Sequence, residues 1–120
     1  MHALIIEQEA WIALMIEDAL TLAGYTSFDV AVSGEDALAM AVRRCPDLIT
    51  SDVRLGTCCG IETVRNICGG RHIPVIFVTA TCWDVRSRST ELTVVQKPFA
   101  LHEMKDAIAT AVMQPAPAAW

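Results

Sequence analysis

Short apolar runs alternate with amphipathic ones along most of the chain. Ala3–Ile6, Ser27–Ala31, Leu48–Ser51, Pro74–Val78 and Leu92–Val95 have the length and residue types of strands. Helical spacing follows each in turn. Ile12, Met15, Ile16, Ala19, Leu20 and Ala23 share one face, and Gly24 stops that helix. Ser33-Gly34-Glu35-Asp36 is a capping-box start for a second helix, with Leu38, Ala41 and Val42 as its buried face. Arg43 and Arg44 suit its negative end, and Pro46 prevents continuation. Ile61, Val64, Ile67 and Cys68 mark a third helix, ended by Gly69-Gly70, and Leu101, Met104, Ile108, Ala111 and Val112 mark the last.

One connection is thin. Residues 82–91 read CWDVRSRSTE, with only Trp83 and Val85 as bulky apolar anchors, so the fourth helix is expected to be short or irregular. A parallel crossover needs only a dozen or so residues, which this segment supplies. Five strand-then-helix units predict an α/β fold, a doubly wound five-stranded parallel sheet with helices on both faces. Residues 1–113 form the expected domain, and 114–120, QPAPAAW, read as a flexible C-terminal tail.

Composition narrows the function. The chain has 120 residues, 53% of them apolar and 19% charged, as expected of a single globular domain. A net charge of −5 disfavours nucleic acid and anionic membranes as partners. No apolar run approaches the roughly 18 residues of a membrane span, and no signal peptide is evident, so a cytoplasmic location is expected. The five cysteines are odd in number and lack paired C-x2-C spacing, which favours reduced thiols over a disulfide framework or a zinc site. The adjacent Cys58-Cys59 pair is the one sequence candidate for redox chemistry.

In a doubly wound sheet, functional groups collect at the carboxyl ends of the strands. Those ends carry Glu7-Gln8, Asp52, Thr79 and Lys97-Pro98. Any one alone has a bland explanation: a turn-capping Asp, a solvated Lys, a Thr suited to any strand end. Together they place acids, a hydroxyl and an ammonium on one rim.

At these residues the chain resembles the receiver domains of bacterial two-component response regulators. LIIEQE is similar to the family's acidic-pair segment. PDLITSDVRLGTCCGIE resembles the phosphoacceptor segment, with Asp52 as acceptor and Gly60 opening the third helix. PVIFVTA ends in the hydroxyl residue Thr79, and VVQKPF resembles the lysine-proline signature, with Lys97, Pro98 and Phe99. The resemblance covers residues 3 to 113 and implies a flavodoxin-like strand order 2-1-3-4-5. It implies a stand-alone phosphoacceptor signalling protein rather than an enzyme. Asp52 would accept a phosphoryl group from a histidine kinase or histidine phosphotransfer protein, and output would pass by protein contact or phosphorelay. Mg²⁺ would be held by Glu7, Gln8, Asp52 and the backbone carbonyl of Arg54. Lys97 would pair with Asp52, and Thr79 would hydrogen-bond the attached phosphoryl group.

Two departures stand out. The family's second acid is Gln8 here, and an amide brings no formal charge to a small, hard cation, so weakened Mg²⁺ binding is expected. The bland alternative is that Glu9, or binding energy from the kinase, compensates. The family's switch aromatic is Val94, which lacks a ring to swing between exposed and buried positions. These departures motivate a competing reading, a receiver-fold binding module that works without phosphorylation. Arg54 either pairs with the phosphoryl group or is a solvated loop charge, and Thr81 is the second position of that kind. An aspartate-nucleophile phosphatase is disfavoured because Arg54 stands where its second acid is needed. A flavodoxin is disfavoured because Glu7 and Glu9 would face its phosphate.

Overall fold

A computed structural model describes residues 1–55, 58–80 and 92–114. Five parallel strands form the sheet: β1 (His2–Ile6), β2 (Ser27–Ala31), β3 (Leu48–Ser51), β6 (Val75–Thr79) and β7 (Thr93–Gln96). Their order is β2-β1-β3-β6-β7, which among the sheet strands is 2-1-3-4-5. A separate antiparallel pair, β4 (Arg54–Leu55) and β5 (Cys58–Cys59), lies in the connection after β3 and was not evident in the sequence. Among the described residues the helices are α1 (Ala10–Leu22), α2 (Gly34–Arg43), α3 (Gly60–Cys68) and α4 (Leu101–Met113). Residues 82–91, where the irregular helix was expected, and Thr81 lie outside the described residues.

Strand composition follows position in the sheet. Every residue of β1, β3 and β6 is buried, while the edge strands β2 and β7 are only partly covered. Strands covered on both faces need continuous apolar runs, and edges do not. Alternation along each strand then builds two cores. Ala3, Ile5, Leu48, Ile76 and Val78 pack against Ile12, Ile16 and Leu20 of α1 and against Met104 and Ile108 of α4. Leu4, Ile6, Ile49, Val75 and Phe77 pack on the other face with Ala37 of α2 and with Ile61, Val64 and Ile67 of α3.

The strand boundaries fall within a residue of expectation. Pro74 stands just outside β6 because it has no N–H for the ladder, although its carbonyl accepts from Ile49 N at 2.9 Å. Helix faces differ more. Val42 is 86% exposed, since α2 packs through Ala37 with Leu38, Met40 and Ala41, and Val42 falls beyond that stripe. Leu101 and Val112 are likewise exposed, because α4 packs through Met104, Ala107, Ile108 and Ala111. Ala23 is exposed at the C-cap of α1. Ser33 does cap α2, accepting from Asp36 N at 3.2 Å.

Two glycines are dictated by backbone. Gly69 ends α3 in the left-handed region at φ 52°. Gly60 lies so close to the Asp52 carbonyl oxygen that any β-carbon would overlap it. Thus the first turn of α3 is seated directly against the end of β3. No helix among the described residues is long and apolar enough to cross a membrane.

One buried group is poorly served. Thr50 is fully buried in register with Ile5 and Ile76, and its hydroxyl has no hydrogen-bond partner among the described residues. An unpaired hydroxyl in an apolar layer is a cost that an isosteric methyl removes. Thr50→Val is expected to raise the free energy of unfolding by about 1 kcal/mol in urea denaturation. A loss of stability would show that the hydroxyl is satisfied.

Candidate functional site

The site extends the sheet by one residue beyond its strands. Glu7 N donates to Ala31 O at 2.9 Å, Asp52 N to Ile6 O at 3.0 Å, and Lys97 N to Thr79 O at 2.9 Å. These bonds continue the parallel ladder past β1, β3 and β7, so three side chains distant in sequence start from fixed positions on one rim. The Lys97–Pro98 peptide is cis.

The side chains converge on the ammonium. Lys97 Nζ lies 2.8 Å from Glu7 Oε1 and 3.1 Å from Asp52 Oδ2. Their side-chain exposures are graded: 1% for Glu7, 12% for Lys97 and 18% for Asp52. Glu7 is therefore an almost wholly dehydrated carboxylate, held by Lys97 and by Glu9 N–H at 3.2 Å to Oε2. Burying a charge costs several kcal/mol unless it is paired and hydrogen-bonded. Asp52 is the acid that solvent reaches. Among the described residues its Oδ1 receives only a long contact from Arg54 N, at 3.4 Å.

Lys97 is held charged by its partners. Burial by itself would lower its pKa, but the hydrogen bonds and charges of Glu7 and Asp52 outweigh that and raise it above the ordinary lysine value.

The remaining candidates sit around this centre. Thr79 is buried at the end of β6, beside Lys97 through the backbone ladder. Gln8 and Glu9 are exposed, and so is Arg54, whose backbone reaches Asp52 while its side chain faces outward. Val94 is half-buried opposite Phe77, with Phe77, Leu92 and neighbours packed near it. Lys97 was expected to pair with Asp52, and it does. The Glu7–Lys97 contact was missed, although an acid directly after a buried strand needs a counter-ion somewhere. Two further supports were missed. Ser51 Oγ donates to the Asp52 carbonyl at 2.8 Å, and Gln96 Nε2 donates to Ala80 O at 2.6 Å, tying β7 to the end of β6.

The donor set suits a cation that keeps most of its water. Among the described residues no group of three or more His, Cys, Asp or Glu side chains is placed to hold a metal. Two carboxylates are present, each with an oxygen already on Lys97. Mg²⁺ is typically bound through one or two carboxylates together with water and substrate phosphate, so the residues fit it sparingly. Beside the rim lies an apolar hollow of about 330 Å³ lined by Trp11, Ile12, Met15, Pro98 and Phe99, with Lys97 and Glu9 at its border. Trp11 is 60% exposed there.

The chain is similar to known proteins in sequence and fold. The family model for the response regulator receiver domain matches residues 3–109. The transcriptional regulatory protein PdtaR of Mycobacterium tuberculosis is 30% identical over 115 residues, covering 92% of this chain and 56% of PdtaR. The solution structure of the Erythrobacter litoralis PhyR response regulator REC domain has a TM-score of 0.85 at 28% identity, covering 99% of this chain and 95% of that one. The crystal structure of the anti-anti-sigma factor PhyR from Bartonella quintana has a TM-score of 0.80 at 31% identity, covering 92% of this chain and 46% of that one. The chain thus spans about half the length of the curated PdtaR relative it matches. From the paired acids on one lysine, the strand order and these matches, the chain belongs to the response regulator receiver domain family of two-component signal transduction.

Proposed function

We propose that Asp52 is the phosphoacceptor of this receiver, taking a phosphoryl group from a phosphohistidine on a partner kinase or phosphotransfer protein. The observation that carries this reading is the graded triad. Glu7 is sealed and holds Lys97, while Asp52, the most open of the three, shares the same ammonium. In the transfer an Asp52 oxygen forms the bond to phosphorus as the phosphorus–nitrogen bond of the donor breaks. Such transfer asks little covalent chemistry of the protein beyond alignment and neutralisation of the phosphoryl oxygens. Lys97 exchanges its contact with Asp52 for a phosphoryl oxygen, while Glu7 keeps it in place. Thr79 then offers its hydroxyl to the attached group. Mg²⁺, when bound, neutralises phosphoryl charge, and Glu7, Gln8, Asp52 and the Arg54 carbonyl are the donors this chain has for it. The apolar hollow around Trp11, bordered by Lys97, gives a donor protein a surface next to the site. Output passes to a further protein by contact or relay.

The alternative is a binding module of the same fold that never carries phosphate. The neutral, exposed Gln8 and the ringless Val94 are what favour it. The two part at one experiment, incubation with a small acyl phosphate and Mg²⁺. Acid-stable but base-labile label on Asp52, absent from Asp52→Asn, is the expected result, and an unlabelled folded protein supports the binding module. In the same assay Gln8→Asp is expected to lower the Mg²⁺ needed for half-maximal labelling about tenfold, equivalent to about 1.4 kcal/mol. Identical Mg²⁺ dependence would remove Gln8 from the account.

Lys97 predicts the alkaline behaviour. Its folded pKa is raised, so the stabilisation from its pairing is complete below the unfolded value of about 10.4. That stabilisation is lost as pH climbs through the raised folded value. Tyr25, raised by burial and by Asp47, and Cys68, pushed up to about 11 chiefly by burial, act in the same sense. Lys97→Gln is expected to lose about 3 kcal/mol near neutrality, by leaving Glu7 buried and unpaired. Its urea midpoint should then fall less steeply than the wild type's above about pH 10. Parallel alkaline slopes would contradict the paired ammonium.

A further inference from the structure

Gln96 sits where two strand ends of the site meet. It is the last residue of β7, in register with Thr79 at the end of β6, and Lys97 follows it directly. The backbone ladder between the two strands runs to Lys97 N, which donates to Thr79 O at 2.9 Å. Past that point the Gln96 side chain carries the pairing on. Its Nε2 donates to Ala80 O at 2.6 Å, and a longer contact reaches Lys97 O at 3.4 Å. A carbonyl can only accept, so the amide nitrogen is the atom that must face Ala80. Alternation puts Gln96 on the same face of β7 as Val94, which stands opposite Phe77 of β6.

We propose that Gln96 is a positioning residue for phosphoryl transfer: its amide clamps the peptide after Thr79 to the strand that leads into Lys97, and so holds these two phosphoryl-binding residues in place relative to each other. This role rests on the reading of Asp52 as the phosphoacceptor. Gln96 acts through the backbone of its neighbours.

The need for a clamp follows from where the two residues lie. Thr79 is the last residue of β6, and Lys97 stands one position past β7. Strand ends open more readily than strand centres, because fewer bonds hold them. With the amide in place the end of β6 is gripped twice, at the Thr79 carbonyl by Lys97 N and at the Ala80 carbonyl by Gln96 Nε2. Donors aimed at a phosphoryl group help most when they are placed before its charge develops. Transfer tolerates little error in that placement, since about 1 Å can cost on the order of a hundredfold in rate. Val94, the other residue on this face of β7, has no polar side-chain group with which to make such a bond. Thr79 is buried whereas Gln96 is exposed, so the clamp can be removed at the surface without opening the core.

The test compares the whole chain with Gln96→Met, which keeps the length of the side chain and removes the donor. Both are labelled with a small acyl phosphate and Mg²⁺. The maximal rate of Asp52 labelling is expected to fall about fivefold, as for the loss of one hydrogen bond. The acyl phosphate and Mg²⁺ concentrations giving half-maximal rate should not change, because the amide acts on backbone placement and not on the donor or the cation. Amide exchange followed by NMR supplies a second readout: the Lys97 N–H should exchange faster in the variant, while the amides of β1 keep their protection. Equal maximal rates, or an unchanged Lys97 amide, would overturn the role of Gln96. Raised half-saturation, or faster exchange throughout the sheet, would also overturn it, as the mark of a general loosening. A wild type that takes no label would overturn the reading of Asp52 and this role with it, whereas a labelled wild type matched by the variant overturns only the role of Gln96.

Discussion

A carboxylate taken out of water must be repaid in charge, and at Glu7 the repayment is Lys97. With a side chain only 1% exposed, Glu7 would be untenable without the ammonium 2.8 Å away. That requirement also fixes Lys97, because the lysine cannot leave Glu7 without stranding it. Asp52 therefore finds a cation already in position at 3.1 Å. Three residues from the ends of β1, β3 and β7 are thereby organised around one charge, and the more open acid is left facing solvent.

The backbone makes this arrangement inexpensive. Each site residue follows its strand by one position and keeps the ladder bond that the strand began. No loop has to be ordered separately to bring them together, so little conformational entropy is lost beyond that of the sheet itself. Gly60 completes the seat, since only a residue without a β-carbon can lie against the Asp52 carbonyl. Ser51 Oγ donates to the same carbonyl. Asp52 is held in place by its own backbone as well as by its side chain.

Much of this was legible in the residues. Continuous apolar runs marked β1 and β6 because those strands are covered on both faces, and the glycines and the proline marked their punctuation. Asp52, Thr79 and Lys97 were visible because a parallel sheet sends its strand ends to one rim. What escaped was decided by distance rather than by pattern. The Glu7–Lys97 contact escaped because nothing local says that the acid after β1 will meet the lysine after β7. Val42 and Val112 read as core because periodicity gives a face but not its width. Cys45 and Arg71 lie in different connections and become neighbours only when β3 and β6 pair. The hairpin of β4 and β5 is two residues a side, too short for any periodicity to reveal.

The central claim is an energetic one: Glu7 and Lys97 are worth more together than apart. A double-mutant cycle in urea denaturation with Glu7→Gln, Lys97→Met and the pair tests it most directly. The account predicts a coupling of about 2 kcal/mol, with the double variant more stable than Lys97→Met alone. Effects that add to within about 0.5 kcal/mol would contradict it.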